Sequence, residues 1–217
     1  MAKIKWHERG SKRFETGVSK AVLYPVSPEG EYTPGVAWNG ITTITKAKSG
    51  AETNKHYADN VVYAALQSAE EASLTIEAFT YPDEFAQCDG SAELVPGVTF
   101  EQQSRKPFGL SYQTQLGDDI DGIGAGYLIH LFYNGLASPS ERADTTINDS
   151  PEPIAFSWEV SSMGISGGEG FGNLVTVTID STKLDPAKLT ILEDALYGTV
   201  SSEANLPTPE ELAELLA

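Results

Sequence analysis

Gly164-Ile-Ser166-Gly-Gly168 matches the G-x-S-x-G string in which a serine, raised on a tight strand-to-helix turn, attacks an acyl carbon. A strand-forming run does precede it, but Gly-Glu-Gly-Phe-Gly and a second strand-like run follow where a helix is needed. The expectation is a glycine-rich hairpin loop. The three histidines supply no evident base: His7 lies in a basic stretch, His56 in a polar one, and His130 inside an apolar run. Asp118-Asp119-Ile-Asp121-Gly122 has the look of a calcium loop, yet an EF-hand needs oxygen ligands at positions one, three and five and a bidentate Glu at twelve. Counted from Asp119, those last two positions hold Ile123 and His130, so an acidic hairpin turn is expected. Gly122, Gly124 and Gly126 have the wrong spacing for a dinucleotide loop, and no Walker lysine follows a glycine run. Cys88 is the single cysteine, which rules out an internal disulfide or a multi-cysteine zinc site and fits synthesis in a reducing cytoplasm. The residues nominate no catalytic group, no cofactor-binding residue and no metal ligand, and a non-enzyme is expected.

Charge points elsewhere. The chain carries −17 at neutral pH, and the split is uneven: residues 1–20 hold six Lys/Arg against two Glu, while Ala21–Ala217 hold eight against 29 acids. An acidic body repels nucleic acid, because phosphate binding depends on Lys and Arg displacing counterions. The opening arm (Lys3, Lys5, Arg9, Lys12, Arg13, Lys20) is expected to be a solvated end or to pair with the acidic body of another copy. DNA recognition by the arm is the sharper and less favoured reading. No apolar stretch reaches bilayer-spanning length, and the charged start lacks the apolar run of a secretory signal.

Period-two patterning dominates the rest. Leu74, Ile76 and Ala78 alternate with polar neighbours, as do Ile154, Phe156, Trp158 and Val160, and Val175, Val177 and Ile179. Tyr127–Tyr133 is apolar on both faces and is expected to be a central strand. Asn39-Gly40, set between β-forming residues, predicts a type I′ hairpin. Two long polar connections, 46–60 and 134–153, are expected to be mobile or contact loops. Asp185-Pro186 with Leu189, Leu192, Leu196 and Gly198 predicts a capped helix. Thr208-Pro209-Glu210-Glu211 predicts a capping box for a short terminal helix, expected to fray until docked on a partner. The domain reading is a basic arm over 1–20, a β-sandwich over 21–200, and a C-terminal extension over 201–217. The fold class expected is mainly β, a sandwich or partial barrel with one flanking helix and a short C-terminal helix.

Arg13-Phe-Glu-Thr-Gly-Val-Ser-Lys-Ala-Val-Leu-Tyr-Pro25 and Gly35-Val-Ala-Trp-Asn-Gly-Ile-Thr42 resemble the opening of a family of phage major tail proteins. The likeness continues at Tyr57–Asn60, Glu77–Phe85 and Cys88–Glu93, and again at Leu136–Glu141, Asn148–Pro151, Phe156–Glu159 and Thr178–Thr182. It spans most of the chain and rests on long strings. The resemblance implies a tail tube subunit of a siphophage or prophage virion, made in the bacterial host cytoplasm. It implies hexameric rings stacked into a tube that encloses the tape measure protein, meets tail terminator and distal tail proteins, and conducts DNA through its lumen without specific binding. Glu77, Asp118, Asp119 and Asp121 are acidic candidates for that lining. A second reading, from a different class, is a carbohydrate- or receptor-binding β-sandwich using Trp6, Trp38 and Tyr57 as aromatic platforms.

Overall fold

The computed structural model describes residues 4–217 apart from 69, 141, 148 and 169; Lys3 of the arm therefore lies outside the described residues. Strands β1 (Arg13–Pro25) and β2 (Val36–Trp38) lead into a ribbon of β3 (Ile41–Gly50), β4 (Thr53–Ala58), β5 (Val61–Gln67) and β6 (Glu70–Ala78). A 3-10 turn, Asp83–Phe85, and helix α1 (Ala86–Asp89) follow, then a small hairpin of β7 (Ala92–Val95) and β8 (Val98–Phe100). Strands β9 (Phe108–Asp118) and β10 (Gly122–Ala137) form the central hairpin. Next come β11 (Phe156–Ser162), the two-residue pair β12 (Ile165–Ser166) and β13 (Asn173–Leu174), and β14 (Thr176–Asp180). Helices α2 (Pro186–Tyr197) and α3 (Pro209–Leu215) close the chain.

One antiparallel sheet organises the molecule, in the order β2-β1-β9-β10-β11-β6-β3, with β14 also paired to β10. Its two ends, β2 and β3, are separated in sequence only by Asn39 and Gly40. Three Cα steps reach about 11 Å at most, whereas six strand spacings in a flat sheet would put the ends about 29 Å apart. The sheet must therefore roll until its ends meet, and β1 and β3 do approach one another. Among the described residues no ladder joins β3 to β1 or β2, so the roll is open and not a closed barrel.

Alternation along each strand sends side chains to two cores. Inside the roll, Ala21, Leu23, Leu74, Ile76, Leu110, Phe132, Trp158 and Val160 pack together. The 3-10 turn and α1 plug one end with Phe85 and Cys88, both fully buried. Phe85 sits 4.5 Å from the Trp38 ring, 5.1 Å from Trp158 and 5.4 Å from Phe108, within the range of favourable tilted aromatic pairs. The outer face of β1, β10 and β14 presents Val22, Tyr24, Ile129, Leu131, Tyr133 and Ile179 to Leu192, Leu196, Leu206 and Leu212 from the C-terminal region. Tyr24 donates to the carbonyl of Leu196 at 2.7 Å and Tyr133 to that of Pro207 at 3.0 Å, so buried phenols satisfy the end of α2 and the segment beyond it. A Cβ at Gly109 would overlap Leu206 and Tyr32; only glycine lets the C-terminal segment lie so close to β9.

The expected mainly β class, the central Tyr127–Tyr133 strand and both helix caps are present: Asp185 accepts from the Ala187 amide at 2.9 Å, and Thr208 and Glu211 form a reciprocal capping box. Four expectations change. Asn39-Gly40 is no hairpin: only Gly40 has positive φ, and its carbonyl accepts from Phe79 at 2.9 Å, tying it to the far side of β3. The type I′ requirement is met instead by Asp59 (φ 51°) and Asn60 (φ 63°), between β4 and β5. Residues 46–60 are accordingly not a loop, because Lys46–Gly50 pair with β6 and Thr53–Ala58 with β5; in the 134–153 stretch, β10 runs on to Ala137. Strand β1 takes up residues 13–20 of the arm, with bulges near Gly17 and Lys20. The terminal helix is not frayed, since Leu206 and Leu212 are buried on the chain's own sheet and Lys188 holds the Leu216 and Ala217 carbonyls at 2.7 Å.

Replacing Phe85 by Ala leaves a void at the centre of the plug and is expected to cost about 3–5 kcal/mol. Urea unfolding measures it, and a loss below about 1 kcal/mol would show that the plug is not part of the cooperative core.

Candidate assembly surfaces

The residues with conventional chemistry are scattered. Ser166 sits in the β12–β13 hairpin, where Gly167 donates to the carbonyl of Gly172 at 3.1 Å and the Ser166 hydroxyl accepts from Gly168 at 3.4 Å. It borders a groove of about 750 Å³ whose lining includes Tyr32, Lys106, Asn134 and Thr208 but no histidine. His56 lies on β4 and not in a polar loop; His7 is on the exposed arm, and His130 is buried in β10. Cys88 is buried in α1, which pushes its thiol up to about 12. Among the described residues no three His, Cys, Asp or Glu side chains gather as metal ligands, and no helix is long and apolar enough to cross a membrane.

The β9–β10 turn uses its carboxylates locally. Asp118 accepts from the amides of Ile120 (2.8 Å) and Asp121 (2.6 Å), which holds its carboxyl below the usual range, helped by nearby Arg13. Asp119 accepts from the amides of Gly10 (2.9 Å) and Lys12 (3.3 Å). The basic arm is thus latched to its own body at this turn. The three aromatic platforms do not assemble: Trp38 is 3 % exposed in the inner core and donates to the carbonyl of Thr80 at 2.9 Å, while Trp6 and Tyr57 stand exposed on the arm and on the ribbon. The carbohydrate-binding reading loses its geometric basis with Trp38.

What the fold does present is a two-stranded ribbon of unusual composition. Strands β4 and β5 form a separate two-stranded sheet beyond the Gly50–Glu70 end of the β3–β6 ladder, its base tied by the Ser68 amide on the Glu52 carbonyl (3.1 Å) and the Gln67 amide group on that of Ala51 (2.9 Å). Tyr57 pairs with Val62 on one face and Asn54 with Leu66 on the other, and a bulge at His56–Tyr57 leaves Tyr63 without a cross-strand partner. Tyr57, Val61, Tyr63 and Leu66 are 60–77 % exposed. An isolated two-stranded ribbon is marginal in water, and an apolar surface on it is a recognition surface or an aggregation hazard. Thr53–Gln67 contains one lysine and one aspartate, so the ribbon is neutral within a chain at −17. The β7–β8 hairpin, turned at Pro96-Gly97, exposes Leu94, Val95, Val98 and Phe100 in the same way.

A second surface is polar. On the outer face of β3, β6 and β11, which no helix covers, Thr43 lies beside Glu77 and Ser157, Thr45 beside Thr75 and Glu159, and Ala47 beside Ser73 and Ser161. Ser49 faces Glu71 at its end. These register positions carry three carboxylates, small hydroxyls and no base. Glu77, an acidic candidate from sequence, is here; Asp118, Asp119 and Asp121 are not. Sequence reading missed β4, β5, β7, β8 and β9, although Val61–Tyr63 flanking Asp59-Asn60, Pro96-Gly97 between valines, and the alternation of Phe108, Leu110 and Tyr112 were signals for them.

No protein-family model and no curated protein matches the chain. Among solved structures, a chain from the cryo-EM structure of the anti-feeding prophage (AFP) baseplate, 6-fold symmetrised, is similar at 11 % identity and a TM-score of 0.36, covering 82 % of this chain and 97 % of that one.

In the isolated subunit, the amides of β4 and β5 are expected to exchange with solvent far faster than those of β9 and β10, which lie between the two cores. Hydrogen exchange read by mass spectrometry checks this; equal protection would mean the ribbon is already covered within one chain.

Proposed function

We propose that the chain is a structural virion subunit that self-assembles into stacked hexameric rings, forming a phage tail tube that encloses the tape measure protein and conducts DNA. The observation that carries the reading is the ribbon: two strands with apolar side chains on solvent and almost no charge, set beyond the end of the β3–β6 ladder of an acidic body. It supports a surface built to be buried by other copies, in accord with the long strings that resemble phage major tail proteins. Among the described residues, the edges of β2, β3 and β14 carry no second ladder, and they are further sites where a neighbour can pair and fix a closed rotational symmetry. Tail terminator and distal tail proteins are the partners expected at the ends of such a tube. In this reading the bare Thr/Ser/Glu face of β3, β6 and β11 lines the lumen, where carboxylates and small hydroxyls give DNA phosphates no counter-charge to hold. No residue is assigned a catalytic role.

Replacing Thr53–Gln67 by a two-residue turn keeps the β3–β6 ladder and Lys46. The variant is expected to remain a soluble β monomer that forms no rings or tubes by negative-stain microscopy at concentrations where the parent assembles. Normal tubes from it would refute the ribbon's role. Assembly of the parent should improve as salt screens like charges, with no measurable DNA affinity at physiological salt. The double variant Glu77→Lys, Glu159→Lys is expected to assemble and to acquire salt-sensitive DNA binding. A folded variant that no longer assembles would place this face at a subunit contact instead of the lumen.

A further inference from the structure

Across the open seam of the roll, opposite the aromatic plug, runs a chain of polar side chains. His130 on β10 is 4 % exposed and stacks on the Tyr112 ring of β9 at 4.8 Å. Its Nδ1 lies 2.8 Å from Nζ of Lys46 on β3 and 3.1 Å from the hydroxyl of Thr178 on β14; its Nε2 lies 2.8 Å from the hydroxyl of Thr114 on β9. An ammonium can only donate, so Nδ1 accepts and the imidazole is neutral with its proton on Nε2. That proton is donated to Thr114, whose hydroxyl donates in turn to Oε1 of Glu15 on β1 at 2.6 Å. Glu15 Oε1 is also 3.4 Å from Nε2. Every donor points the same way, from β3 through β10 and β9 to β1. Among the described residues the two sides of the seam share no ladder, and this chain of side chains spans them.

We propose that Lys46, His130, Thr114 and Glu15 form an acid-released clasp that holds the β3–β6 ribbon against the rest of the roll. Protonating Nδ1 replaces the acceptor by a second donor facing the Lys46 ammonium, so the contact becomes repulsive and β3 is freed. The ionisable groups facing His130 are Glu15 from β1, Lys46 from β3 and Tyr112 from β9; β14 contributes only the Thr178 hydroxyl. Burial, then Lys46, hold the imidazole at about 4 against an ordinary 6.5, with Glu15 opposing them. The unfolded or opened chain therefore binds the proton first as pH falls. The clasp contributes fully above about 6.5 and loses its contribution between there and about 4. The proposal does not depend on whether the chain assembles.

The test uses the full chain as a monomer. Amide exchange of Ile41–Gly50, corrected for intrinsic rates, is expected to accelerate about tenfold or more between pH 7 and pH 4.5, well before the amides of β9 and β10 follow. In His130→Asn the carboxamide oxygen can accept from Lys46 without titrating, so protection of β3 should stay level over the same range. Carbon-13 NMR of the His130 ring should give a midpoint near 4, moving upward in Lys46→Met. An unshifted midpoint in the folded wild type would overturn the proposal even if His130→Asn failed to fold. So would an equal acid loss of β3 protection in that variant.

Discussion

The two residues between Trp38 and Ile41 constrain everything else. They join strands that end at opposite edges of a seven-strand path, and a chain that short cannot span a flat sheet. Rolling is the only solution, and it creates an inside that must be filled and an outside that must be covered. Aromatic rings from Trp38, Phe85, Phe108 and Trp158 fill one end of the inside. Polar side chains around His130 occupy the other. The helices cover half the outside, and the other half is left to hydroxyls and carboxylates.

The roll also explains why the ribbon stands free. Strands β3 and β6 are fastened at their inner ends by Ile44, Ile76 and Leu74, and past the edge of the core the chain goes on as the separate pair β4 and β5. Each large apolar side chain on it stands to gain about 1.5–3 kcal/mol on full burial. Repulsion between acidic bodies opposes association but is screened beyond about 8 Å at physiological ionic strength. The ribbon carries no net charge and adds nothing to that repulsion.

Much of this was legible in the sequence. Period two at Leu74–Ala78 and Phe156–Val160 gave inward and outward faces, and the helix signals at Asp185-Pro186 and Thr208–Glu211 gave both caps. The Asn39-Gly40 signal was misread because dipeptide chemistry specifies a permitted backbone turn, not the partner of the strand that follows. Here β3 finds β6 and β2 finds β1. Lys46–Asn60 reads as a loop because it is polar, and a ladder exposed on both sides has no buried face to impose alternation. The clasp was illegible for a different reason: Glu15, Lys46, Thr114 and His130 lie on four strands, and only the register of the roll brings them together. The apolar run around His130 fits the buried position it takes in β10, but sequence cannot name its neighbours.

The strand order has a consequence for how the chain is made. Strands β1, β2, β9 and β10 form one pairing unit and β3 with β6 another, and among the described residues the ladder bridges them through β11, residues 156–162. A chain emerging from the ribosome can zip each unit separately, yet Trp38 and Ile76 cannot be enclosed together until Trp158 has been synthesised and inserted. The contacts that seal the interior thus link the first third of the polypeptide to its last, and closure of such long loops is slow compared with local pairing. For that interval the nascent protein carries two half-built sheets with apolar inner faces, so the time those faces stay open is set by the arrival of one seven-residue strand.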